Sequence, residues 1–281
     1  MSGSRIAGRV GEVSSGGTNG NPTTAANQGA GQDQGTVQDQ GTAQDQGAGG
    51  NLGVEERYAV FPFYLCLDVS ASMYGAAIDG VNRQLPLLRA AIGEDPAIAE
   101  VIRFGVVTFS DVARTVVPLC DLSLVEALPE LAAQGRTSYA AAFDHLRRTI
   151  EDDYQRSRTA GERWYRPAVV FISDGRPTDD TERWRSAHRT LTDPGWKRRP
   201  NILSFGFGDA DPAVLAEVSG SKPNRAFLAA EGAEPASVVP ELMTGLIQSI
   251  VSSSASVYSG QAQLVLPDVP SMRAIPVDQL D

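Results

Sequence analysis

From Tyr58 onward the chain alternates short apolar runs with amphipathic stretches, and that alternation fixes the fold class before any single motif is weighed. Each run reads as a strand covered on both faces and each amphipathic stretch as a crossover helix, which is the βαβ pattern. The expected strands are Phe61 to Leu67, Ile102 to Phe109, Ala168 to Ile172, Ile202 to Phe207 and Arg225 to Leu228. Arg114 to Pro118 is expected as a short antiparallel edge strand, because Pro118 has no N–H to give an interior ladder. The predicted fold is therefore α/β: a Rossmann-like doubly wound sheet, mostly parallel, with one short antiparallel edge strand and helices on both faces.

Apolar residues at helical spacing place one helix through Ile78, Val81, Leu85, Leu88 and Ile92, and another through Phe143, Leu146 and Ile150. Pro86 interrupts the first and predicts a kink or an opened turn. A last helix is expected from Pro235 or Ala236 to about Ser253, ending at a Ser-rich break. At 281 residues and 42% hydrophobic, the chain holds enough apolar side chain for one sizeable core with appendages.

Three segments follow: an arm over 1–57, the α/β domain over 58–256, and an acidic, Pro-containing tail over 257–281. The arm is Gly, Gln, Asn, Ser and Thr with few aromatics, a composition too polar to offset the entropy of ordering. It repeats a six-residue unit from Gln32, again from Gln38 and again from Gln44. No bulky apolar residue recurs at a fixed place in that unit, so it reads as a disordered tether and not as a β-helix.

With 34 acidic and 24 basic side chains the formal charge is -10, which gives no footprint for nucleic acid or an anionic membrane. Cys66 and Cys120 belong to no CxxC or Cys/His cluster and read as buried thiols. The first residues lack a secretory h-region and the longest apolar run, Tyr58 to Leu67, is too short to span a bilayer, so the expected location is cytoplasmic. His145 and His188 fall in expected helices outside any nucleophile motif and read as surface or boundary side chains.

Three remote segments carry hard oxygen donors at strand or helix boundaries: Asp68, Ser70 and Ser72 after the first strand, Thr137 before a helix, and Asp174 after the strand Ala168 to Ile172. In an open parallel sheet such loops converge at the carboxyl ends of the strands. Two carboxylates and three hydroxyls there suit Mg²⁺. A lone Asp-x-Ser-x-Ser is weak, because Asp and Ser are ordinary turn formers; three matching segments in order are far more specific.

These residues resemble the von Willebrand factor A (VWA) domain, whose metal-ion-dependent adhesion site (MIDAS) is Asp-x-Ser-x-Ser, a separate Thr and an Asp-Gly. The resemblance implies that Asp68, Ser70, Ser72, Thr137 and Asp174 are ligands of Mg²⁺ or Mn²⁺, and that a partner protein's Asp or Glu completes the coordination. It implies a protein-binding module and not an enzyme. Within the family the chain looks most similar to TerY-type proteins of bacterial tellurium-resistance and stress systems, on residues that include Asp95-Pro96, Thr108-Phe109, Pro118-Leu119 and Pro177-Thr178-Asp179 with Trp184. That likeness implies a protein kinase and a PP2C-type phosphatase as associates. Ala71 and Arg136 depart from the glycines usual at their positions, and Arg136 leaves two roles open, competing with the cation or steering an acidic partner. Two rival readings stand beside this one. A metal-assisted hydrolase or phosphoryl-transfer enzyme would need a general base and a phosphate clamp; a scaffold would use the metal only to staple loops.

Overall fold

Near-continuous apolar runs become strands with both faces covered. The computed structural model describes residues 59–220, 225–260 and 262–275; the arm and its repeats lie outside the described residues, as does the end of the tail. Seven strands form one sheet in the order β3-β2-β1-β4-β5-β6-β7. They are β1 (Phe61–Asp68), β2 (Ile102–Phe109), β3 (Ala113–Cys120), β4 (Ala168–Ser173), β5 (Asn201–Gly206), β6 (Arg225–Ala229) and β7 (Met272–Ile275). Strands β2, β1, β4, β5 and β6 run parallel to their neighbours in that series. The helices are α1 (Ala76–Gly93), α2 (Pro96–Val101), α3 (Tyr139–Thr159), α4 (Thr181–Thr192), α5 (Pro212–Ser219) and α6 (Pro235–Tyr258).

Alternate residues of β1 divide the core. Phe61, Phe63, Leu65 and Leu67 pack with α1, α2 and α6, whereas Tyr64 and Cys66 pack with α3 and α4. The split follows from the period of two along a strand, and it explains why central strands read as unbroken apolar runs. On the second face Phe109, Tyr139, Phe143 and Phe171 form an aromatic cluster beneath the loops that carry the oxygen donors.

The antiparallel edge strand is present and longer than its sequence signal: β3 spans eight residues, with Pro118 exposed where the register with β2 is irregular. The expectation of a single antiparallel edge is corrected by β7, which pairs antiparallel to β6 at the opposite side of the sheet. The last helix likewise continues past Ser253 to Tyr258. Its serines do not break it, because their hydroxyls meet the returning chain: Ser253 Oγ accepts from Val265 N at 2.9 Å and Ser256 Oγ accepts from Gln263 N at 3.0 Å. Helix α1 is continuous through Pro86, which lies on its exposed face where the carbonyl left without a donor can meet water.

Cys66 is buried and Cys120 only half-buried. His188 is not a surface residue: it is buried in α4, with Nε2 2.8 Å from the Val218 carbonyl, and burial pushes its pKa down.

Candidate metal centre

Asp68 ends β1 at the carboxyl edge of the sheet, between β2 and β4. Its side chain is fully buried, and both oxygens are engaged: Oδ1 accepts from Ser70 N at 2.8 Å and Oδ2 from the Ser173 hydroxyl at 2.6 Å. The first contact is an Asx turn, which swings the chain so that Ser70 and Ser72 face inward. Backbone bonds then fix the loop in place. Val69 N donates to Phe109 O at 2.8 Å, Gln134 N to Val69 O at 2.7 Å, and Ala71 N to Gly135 O at 2.9 Å. The loop after β1 is thereby sewn to the segment that delivers Thr137.

Thr137 sits just before α3, whose N-cap Ser138 accepts from Ala141 N at 3.1 Å. Gly135 holds φ +80, a conformation that favours glycine, and a Cβ there would displace the Asp111 carboxylate. The Thr137 carbonyl is held by Thr178 through its N–H at 2.8 Å and its hydroxyl at 3.0 Å. Asp179 completes the junction, accepting from Ser138 Oγ at 2.7 Å and from Ala140 N at 2.8 Å. A carboxylate at a helix N-terminus also gains from the helix dipole.

The structure links four of the five predicted donors side chain to side chain, and Asp68 adjoins them through the Ser70 N–H. Thr137 Oγ1 donates to Ser70 Oγ at 3.0 Å, Ser70 and Ser72 hydroxyls lie 3.0 Å apart, and Ser72 Oγ donates to Asp174 Oδ1 at 2.7 Å. With Asp174 ionised, the Ser72 proton is committed to it, so Ser70 donates to Ser72 and the protons run one way from Thr137 to Asp174. Gly175 backs the group: a Cβ there would touch Ser72 Oγ and Thr137 Oγ1, each at 3.6 Å. Gly208, at φ +60, packs its backbone against Asp174, and Asp209 N donates to Asp174 O at 2.9 Å. The stretch Gly206 to Asp209 is thus a strand-end turn that supports Asp174.

The donor set fits a small hard cation. Oxygens that ligate Mg²⁺ octahedrally at about 2.0–2.1 Å are separated by roughly 3 Å along each edge, the spacing of these hydroxyls. Among the described residues no group of three or more His, Cys, Asp or Glu side chains is placed to hold a metal. Any ion here would therefore depend on hydroxyls as well as carboxylates. Electrostatics agree with a site that wants positive charge: burial raises the Asp68 pKa against the lowering bonds from Ser173 and Ser70. Asp174 is pushed up to about 6, first by burial and then by the Asp68 and Asp209 charges, against the Ser72 bond.

Arg136 does not cap this group. Its exposed side chain turns to Asp111, with Nε 3.3 Å from Oδ1. Sequence reasoning missed Ser173, which holds the second oxygen of Asp68, and gave Asp179 no positional role. The signal for Ser173 was only its place before Asp174 at a strand end. Beyond Ser72, Thr137 and Asp174 the surface opens into a cleft of about 1090 Å³ that reaches Arg176 and, from β7, Arg273.

Residues 63–176 match a family model described as the von Willebrand factor type A domain, a span that contains all five donors. A solved von Willebrand factor type A structure from Catenulispora acidiphila aligns with a TM-score of 0.51 at 16% identity, over 68% of this chain and 43% of that one. The pilus adhesin SpaC from Lactobacillus rhamnosus GG aligns at 0.52 and 12% identity, over 70% of this chain and 31% of that one. At these identities the structures establish a shared fold, and this chain spans less than half the length of either. Comparison with curated proteins finds no match.

Proposed function

We propose that this VWA-type domain is a protein-binding module in which Asp68, Ser70, Ser72, Thr137 and Asp174 hold Mg²⁺ or Mn²⁺ and an acidic side chain of a partner completes the coordination. The observation that carries the reading is the chain of hydroxyl and carboxylate oxygens from Thr137 to Asp174, spaced at 3.0, 3.0 and 2.7 Å at the mouth of an open cleft. A divalent cation with an open coordination position supplies a point at which a carboxylate can bind. The chain's own residues do the rest: Ser173 and the Ser70 N–H aim Asp68, Thr178 holds Thr137 by its carbonyl, and the Gly208 turn supports Asp174.

The proposed role is binding and not catalysis, with the cytoplasm as its setting. Among the described residues no helix is long and apolar enough to cross a membrane. The TerY-like resemblance extends the proposal to a tellurium-resistance or stress system, with a protein kinase and a PP2C-type phosphatase as associates. Titration calorimetry with Mg²⁺ on the full chain and its Asp68→Ala variant tests the centre: the wild type binds and the folded variant does not. Equal binding by both, or phosphatase turnover that vanishes in the variant, would overturn this reading. Co-purification of the kinase or phosphatase in Mg²⁺, and its loss in EDTA, tests the setting.

A further inference from the structure

We infer that Tyr139 is a positioning residue for the metal centre, its hydroxyl fixing the loop that carries Asp174 so that the site favours Mg²⁺ over the larger Ca²⁺. The inference rests on the cation-dependent reading above. Tyr139 opens α3 two residues after Thr137, and it is 1% exposed. Phe109, Phe143, Phe171 and Trp184 meet its ring edge-to-face, with centroids 4.9–6.2 Å away. Phenylalanine would serve that packing as well, as it does at three of those neighbours. The hydroxyl is the difference, and a buried hydroxyl is costly unless it is hydrogen-bonded. It donates to the Gly175 carbonyl at 3.1 Å.

Gly175 follows Asp174 directly and backs the Ser72 and Thr137 hydroxyls, so its position sets the frame of three proposed ligands. Its N–H donates to Ser173 Oγ at 3.3 Å, which holds the peptide on the other side of Asp174 as well. Ser173 Oγ also lies 3.3 Å from the Gly175 carbonyl, but its proton is taken by Asp68 Oδ2 at 2.6 Å. The phenol is therefore the donor on which that carbonyl depends. One buried hydroxyl thus joins the start of α3, which delivers Thr137, to the loop that delivers Asp174, beside the part-buried ties made by Thr178 and Asp179. Octahedral Mg²⁺ places its oxygens roughly 3 Å apart, whereas Ca²⁺, with bonds of about 2.3–2.6 Å, needs edges of roughly 3.4 Å and tolerates more ligands. Selectivity between the two follows from how far the frame can open, and the Tyr139 tie limits that opening.

The test is Tyr139→Phe in the full chain, which keeps the ring and removes the hydroxyl. Calorimetry with Mg²⁺ and with Ca²⁺ should show Mg²⁺ affinity falling about tenfold, the lower end for losing a group that orients a metal ligand. Ca²⁺ affinity should change little, so the preference for Mg²⁺ narrows by about the same factor. Phe143→Leu loosens the same aromatic cluster without touching a hydroxyl; it should lower the urea midpoint and leave the Mg²⁺-to-Ca²⁺ ratio unchanged. In EDTA, hydrogen exchange of the Gly175 N–H, followed by NMR, should quicken in Tyr139→Phe. A wild type that binds Mg²⁺ without preferring it, a ratio or a Gly175 exchange rate that Tyr139→Phe does not move, or a ratio that Phe143→Leu narrows equally, overturns this inference and leaves the metal reading intact. A wild type that binds neither cation defeats the metal reading, and the inference with it.

Discussion

Asp174 is where charge, burial and ligand chemistry meet in one side chain. Its folded pKa of about 6 lies above the roughly 3.9 of an unfolded aspartate, so the cation-free protein holds a proton there that the unfolded chain has already lost. The stability it lends is therefore complete below about pH 4 and is lost as pH rises toward 6. In EDTA, urea midpoints of the wild type should fall across that window relative to Asp174→Asn, and parallel curves would refute the assignment. The same proton opposes a cation, so the thermal shift produced by Mg²⁺ should grow as pH rises through about 6. Ser173→Ala should weaken Mg²⁺ binding several-fold by calorimetry, since it frees the second oxygen of a fully buried Asp68. The donors themselves were legible because hard-oxygen residues follow strands in a recognisable order. Ser173 was not, because a serine at the end of a buried strand looks like any other until its partner is placed 2.6 Å away.

Elements position what residues supply. Helix α3 was readable from Phe143, Leu146 and Ile150, and all three are buried as their spacing demands. Its beginning was readable too, just after Thr137, where Ser138 caps it locally; the second cap, Asp179 reaching Ala140 N from 39 residues away, was not. Capping from the same segment leaves a local signature, whereas capping across the fold leaves none. The arrangement ties the loop after β4 to the start of α3, and Thr178 extends the tie to Thr137. Asp179→Ala removes two hydrogen bonds to a carboxylate and should lower unfolding free energy by about 1–3 kcal/mol in urea. It should also weaken Mg²⁺ binding although Asp179 is not among the proposed ligands, with Asp179→Asn recovering part of both effects. Loss of stability with unchanged Mg²⁺ affinity would show that Thr137 holds its place without this cap.

At the scale of the whole molecule, the sheet's interior was legible and its far edge was not. Strands β1, β2, β4 and β5 are apolar on both faces, so composition alone announces them. Strand β7 has four residues, Met272 to Ile275, with Arg273 and Ala274 exposed. That is too short and too polar to compete with the Pro-containing sequence around it. Context makes it a strand: β6 needs a neighbour, and the segment from 262 to 271 returns along α6 to supply one. That return is held by Ser253 and Ser256 and by close packing of Gly245, where a Cβ would meet Asp268 O at 2.8 Å. Val269 and Met272 are buried in the core beside α6. A chain ending at Gly260 should therefore lose this packing and leave β6 as an unpaired edge, the kind of surface that recruits other strands. Its melting temperature should drop and its elution in size-exclusion chromatography should shift with concentration. Met272→Ala should cost about 2 kcal/mol in urea, near the low end for a buried methionine, without that shift. A truncated chain that stays monomeric and melts with the full one would mean that β6 is complete without its antiparallel neighbour.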